Sequence, residues 1–138
     1  MRPERAPDSF HTMSRTHTKR KVSTESLQVR SGPALMKWRQ DQGISRPLFA
    51  TMADFSERKL ATYERAATIP PSVRRPIKET VRLIQALREL AGDDEALKDW
   101  LRRPNRAFRQ RSPLEVITSG DSHLIWAMIH QLRQGSFA

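Results

Sequence analysis

There is no cysteine among the 138 residues. Disulfides and thiolate metal sites are therefore excluded, and the absence suits a reducing, cytosolic compartment. No run of about 18 apolar residues occurs, so no helix is expected to span a membrane. The first 30 residues hold no apolar stretch of the kind a secretion signal needs, which argues against export. A phosphate-binding glycine loop, a nucleophile elbow and an HExxH zinc motif are all missing. The histidines build no metal site either. His11 and His17 lie in a polar N-terminal stretch, while His123 and His130 are seven apart on one predicted helix, too distant for a single ion. Asp93-Asp94-Glu95 resembles paired carboxylates but is better explained as negative charge at a helix start. No catalytic, cofactor or metal residue is assigned, and an enzyme is not expected.

What the chain has in excess is positive charge. Twenty-five Lys and Arg against fifteen Asp and Glu give a formal charge of +10. That balance favours a polyanionic partner, nucleic acid ahead of membrane, although solubility alone also accounts for surplus Lys and Arg. A hydrophobic content of 37% permits a modest core in one domain or two very small ones.

Residues 1–30 are polar, with seven basic residues (Arg2, Arg5, Arg15, Lys19, Arg20, Lys21, Arg30) against three acids (Glu4, Asp8, Glu25), and read as a disordered basic arm. From Ser31 onward the pattern is helical. Ser31, Ser45 and Ser56 are caps of three successive short helices, and Gly43 stops the first. Residues 73–91 form the longest helical pattern, with Pro76 limiting its regular start. Its two apolar stripes, Ile77/Val81/Ile84 and Leu83/Leu87/Leu90, are too wide for one small neighbour, so this helix is expected between two domains or against a second copy of the chain. Three further helices follow, and Ser112 with Glu115 has capping-box spacing. No segment reads as a strand, so the fold class is all-α. The expected division is an arm (1–30), a helix-turn-helix domain (31–67), a linking and dimerisation helix (68–92) and a C-terminal module (93–138).

The stretch Gly43–Glu64 carries the first functional pattern. Two short helices crossing steeply need a small residue at the crossing (Ala50), an apolar residue in the turn (Phe55) and apolar anchors on the second helix (Leu60, Tyr63). Gly43-Ile44-Ser45, Phe49-Ala50, Phe55-Ser56 and Glu64 together resemble the Xre family of phage-repressor-like regulators, with Asp54 where that family usually has a turn glycine and Pro47 early in the first helix. In a DNA reader of this kind the helix from Ser56 enters the major groove by its N-terminus. Its outward residues are Glu57, Arg58, Lys59 and Thr62, and Arg46 is placed for a phosphate. A solvated charged face on a motif used only for packing is the alternative.

The second pattern is C-terminal. Trp100-Leu101, Pro104-Asn105, Phe108, Pro113-Leu114, Gly120 and an apolar helix closed by Gly135 resemble the Xre/MbcA/ParS toxin-binding domain of type II antitoxins. That family often has a glycine pair before Pro-Leu; here the chain reads Arg109-Gln110-Arg111, which predicts a differently shaped loop. Trp100, Leu101, Phe108, Leu114, Ile117, Leu124, Ile125, Met128 and Ile129 are expected to form a small helical core. Arg106, Arg109 and Arg111 make a basic loop suited to an acidic partner. His130, Arg133, Gly135 and Phe137, on and after the last helix, complete the candidate toxin contacts.

Taken together, the two resemblances imply a cytoplasmic antitoxin with two tasks. It would occlude the cleft of a RES-domain toxin that consumes NAD, with the last helix and Phe137 over that cleft. It would also bind operator DNA as a homodimer. A stand-alone transcription regulator without a toxin, and an interaction module without DNA binding, are the rival readings.

Overall fold

The computed structural model describes residues 30–135, so all but the last residue of the expected arm (1–30) and the tail with Phe137 lie outside the described residues. Among these residues there are seven α-helices and no strand: α1 (Gly32–Asp41), α2 (Arg46–Ala53), α3 (Glu57–Arg65), α4 (Pro71–Ala91), α5 (Asp94–Arg102), α6 (Pro113–Thr118) and α7 (Ser122–Arg133). A 3-10 turn, Arg106–Phe108, precedes α6. The all-α expectation holds.

Local chemistry sets the helix starts. The hydroxyls of Ser31, Ser45 and Ser56 accept from the amides of Ala34, Leu48 and Lys59, and Asp93 caps α5 through Ala96 N at 2.8 Å. Each satisfies an amide that the first turn would otherwise leave unpaired. At α6 the capping box is complete: Glu115 N donates to Ser112 Oγ at 3.1 Å and Ser112 N donates to Glu115 Oε1 at 2.7 Å. Asp54 ends α2 in the left-handed conformation (φ 65°, ψ 40°), which turns the chain sharply into α3.

α1 and α2 both pack on α3, and α2 also touches α4 and α6. Gly32 is required where α1 meets the end of α3, because a Cβ there would lie 2.2 Å from Tyr63 O. Ala50 is buried at the α2 turn and its carbonyl accepts from Phe55 N at 2.8 Å. Phe55 meets Tyr63 edge-on, with ring centroids 5.3 Å apart.

α4 lies between the two halves. α2 covers it from one side, α5 and α7 from the other, and the buried residues from Leu35 to Ile129 form one continuous cluster. Ile77, Val81, Leu83, Ile84 and Leu87 are therefore covered within the chain. Three details depart from the sequence reading. Leu90 is 41% exposed, because the helix ends before its stripe finds a neighbour. Pro76 lies inside α4, which starts at Pro71; proline removes only one amide, and the carbonyl of Pro76 accepts from Thr80 Oγ1 at 2.8 Å. Leu124, expected in the core, is exposed, because α7 turns Ile125 and Ile129 inward and leaves Leu124 on its outer face.

Candidate functional site

The first candidate surface is the start of α3. Ser56, Glu57, Arg58, Lys59 and Thr62 are all exposed, at the cap and within the first two turns of α3. Thr62 Oγ1 donates to Arg58 O at 3.2 Å, which holds its side chain along the helix. Behind this face lies a buried ionic network. Arg39 donates from Nε and Nη2 to the two oxygens of Glu64 at 2.6 and 3.0 Å, and from Nη1 to Ile44 O at 3.0 Å. Arg46 adds its Nε to Glu64 Oε1 at 3.0 Å. Glu64 and Arg39 are buried, whereas the Arg46 side chain is 36% exposed. Arg46, read from sequence as a phosphate contact, thus has one nitrogen committed to Glu64. That engagement ties its side chain to the C-terminal end of α3. Nothing beside Arg39 in the sequence marks it as the partner of Glu64.

The second candidate surface is C-terminal and has two parts. The loop between α5 and α6 closes on itself. Asn105 N donates to Arg111 O at 3.0 Å, and Asn105 O accepts from Phe108 N and Gln110 N, each at 2.9 Å. Phe108 is buried and pins the loop, while Arg106, Arg109 and Gln110 point into solvent. Arg109 and Gln110 both have positive φ (58° and 67°), so the loop keeps a backbone that glycine would adopt freely. Arg111 pairs with Asp121 at 3.4 Å and ties the loop to the start of α7.

His130, Arg133 and Gly135 are exposed at the other end of α7, about 18 Å away for a 12-residue helix. Arg133 approaches Glu89 of α4 at 3.5 Å. Along α7 between the two groups stand residues that sequence reasoning misplaced or missed. Leu124 and Trp126 are each 36% exposed. Trp126 borders a groove of about 550 Å³ with Met52, Ala53, Thr80, Leu83 and His123. The signal was present: an apolar run from Leu124 to Ile129 surrounds a helix, and a small protein buries only one side of it.

Residues 86–135 match the family model of the antitoxin Xre/MbcA/ParS C-terminal toxin-binding domain. The match covers the last third of the chain. The match supports an antitoxin role and a toxin as partner. No curated protein and no solved structure matches the chain. The matched residues span the end of α4, the whole basic loop and all of α7, so they include both parts of the second surface. The α3 surface lies outside the matched residues. Among the described residues no cluster of His, Asp and Glu is arranged to hold a metal ion, and no helix is long and apolar enough to cross a membrane.

Proposed function

We propose that the chain is the antitoxin of a type II toxin–antitoxin pair, silencing a RES-type, NAD-consuming toxin by covering its cleft. The observation that carries this is the outer face of α7. An exposed Leu124 and Trp126 stand inside a toxin-binding domain, flanked by the basic loop at one end and by His130 and Arg133 at the other. Large apolar side chains ringed by polar ones are the usual anatomy of a protein-binding face. Neutralisation of this kind needs no chemistry from the antitoxin, only a close-fitting cover.

The second task is repression of its own operon. It is supported by the exposed Arg58 and Lys59 at the tip of a Ser56-capped helix and by a charge of +10. A homodimer, placing two such helices on a two-fold symmetric operator in the cytoplasm, fits this task.

Co-expression with the adjacent open reading frame tests the first task. The expected result is that the neighbouring product alone arrests growth, that this chain restores it, and that the two purify together. Absence of co-purification would leave a stand-alone regulator as the better reading. A mobility shift on the upstream region, at stated salt, tests the second task. Removal of residues 136–138 should release toxin activity if the tail takes part in covering the cleft.

A further inference from the structure

Arg109 (φ 58°, ψ 44°) and Gln110 (φ 67°) are consecutive residues with side chains in the left-handed region. A Cβ is penalised at each position, and glycine would relieve both. Neither side chain offsets that strain within the protein. Both are exposed, and neither makes a side-chain hydrogen bond or ion pair among the described residues. The loop holds its shape by other means: the Asn105–Arg111 bridge, the amides gathered on Asn105 O, and the buried Phe108. Side chains that strain the free protein and make no bond within it point to a use outside it.

The surroundings indicate what that use is. From Arg102 to Arg111 there are five arginines and no acid. Arg103 pairs with Asp99 and Arg111 with Asp121, while Arg102, Arg106 and Arg109 have no ion pair among the described residues. The loop belongs to the toxin-binding domain and is fastened to the start of α7.

We propose that Arg109 and Gln110 are recognition residues of the toxin-binding domain, held in a strained, rigid loop so that they meet a carboxylate-bearing face of the toxin. The guanidinium takes a carboxylate in a two-pronged bond. The Gln110 amide both donates and accepts, which suits a peptide surface better than a row of phosphates. The assignment rests on the antitoxin reading and adds a specificity element to it. A rigid display costs little ordering entropy on association.

The test compares the full chain with the double variant Arg109→Gly/Gln110→Gly. Three quantities are measured: melting temperature, affinity for the purified product of the adjacent open reading frame, and affinity for the upstream DNA. The melting temperature should rise by about 2–6 °C as strain is relieved. Affinity for the protein partner should fall by about tenfold or more, while DNA affinity stays unchanged. Partner affinity within about twofold of the parent overturns the assignment. So does an unchanged or lowered melting temperature. A loss confined to DNA binding overturns it too, because the loop would then serve nucleic acid. If the parent chain itself fails to bind the neighbouring protein, the antitoxin reading goes with it. A parent that binds and a variant that binds equally well remove this inference alone.

Discussion

Arg39 and Glu64, 25 positions apart in the chain, face each other as a buried two-pronged ion pair that fastens α1 to the end of α3. Arg46 shares the same carboxylate from α2, so one acid joins all three helices of the N-terminal half. A buried charge whose partner is removed is far more costly than one never placed there, by about 3–5 kcal/mol. Glu64→Gln leaves two guanidinium groups around a neutral amide. The expected outcome is a loss of about 3–5 kcal/mol in urea unfolding and, on the proposed DNA-binding role, weaker operator binding because α3 loses its seat. Stability within about 1 kcal/mol of the parent would show that Glu64 is not the fastening point.

A second joint links the two halves. Arg88 near the end of α4 donates from Nη2 to the carbonyl of Gln42 at 2.9 Å and also holds Asp94 at the start of α5. Gly43 sits beside this cluster at φ +72°, and a Cβ there would come within 2.2 Å of Asp94 Oδ2. Gly43→Ala combines an unfavourable φ with that collision, so a cost of at least about 1–2 kcal/mol is expected. Arg88→Ala removes a charged donor from a backbone carbonyl and a carboxylate, with an expected cost of about 1.5–3 kcal/mol. Hydrogen exchange is the decisive measurement: the amides of Gln42, Gly43 and Ile44 should exchange faster in both variants, while those of α7 keep their protection.

These two joints also show how far the sequence could be read. Caps at Ser31, Ser45, Ser56 and Ser112 were legible because an N-cap is decided within four residues. The left-handed Asp54 was legible for a similar reason, since a two-helix motif of this spacing needs a tight turn there. Arg39 was not, because its partner lies 25 residues away and nothing beside it in sequence distinguishes it from a solvated arginine. Leu124 was misplaced because i, i+4 pairing with Met128 is as good as that of Ile125 with Ile129, and only the position of α4 decides which pair faces inward. The strain at Arg109 and Gln110 was not read, because side chains where the resembling family often has a glycine pair suggested a differently shaped loop rather than two positive φ angles.

The proposed recognition face makes a separate prediction. Arg58 and Lys59 are exposed, and their side chains carry no ion pair among the described residues, so replacing both by Ala should change stability by about 0.5 kcal/mol or less. If both reach DNA, operator affinity should fall sharply. For each that serves a phosphate, the slope of log affinity against log salt should shrink by about 0.9. An unaltered mobility shift would remove α3 as the reading helix, while loss of affinity with an unaltered salt slope would assign the pair to base edges.

Trp126 is the strongest single test of the proposed toxin-binding face. It stands on the outer side of α7, 36% exposed, beside a groove formed with α2 and α4. Exposed tryptophans on a helix that already buries Ile125 and Ile129 do little for the monomer's core, yet tryptophan is the side chain most enriched among residues that dominate protein interfaces. Trp126→Ala should therefore keep the helical circular-dichroism spectrum and a cooperative melt, while losing about 2 kcal/mol or more of partner affinity. Leu90→Ala supplies the comparison, since Leu90 is similarly exposed but lies near the end of α4. If toxin binding is centred on α7, the leucine variant should neutralise nearly as well as the parent while the tryptophan variant fails. Equal effects from both would spread the contact across α4 and α7, and no effect from Trp126→Ala would move the toxin to the basic loop.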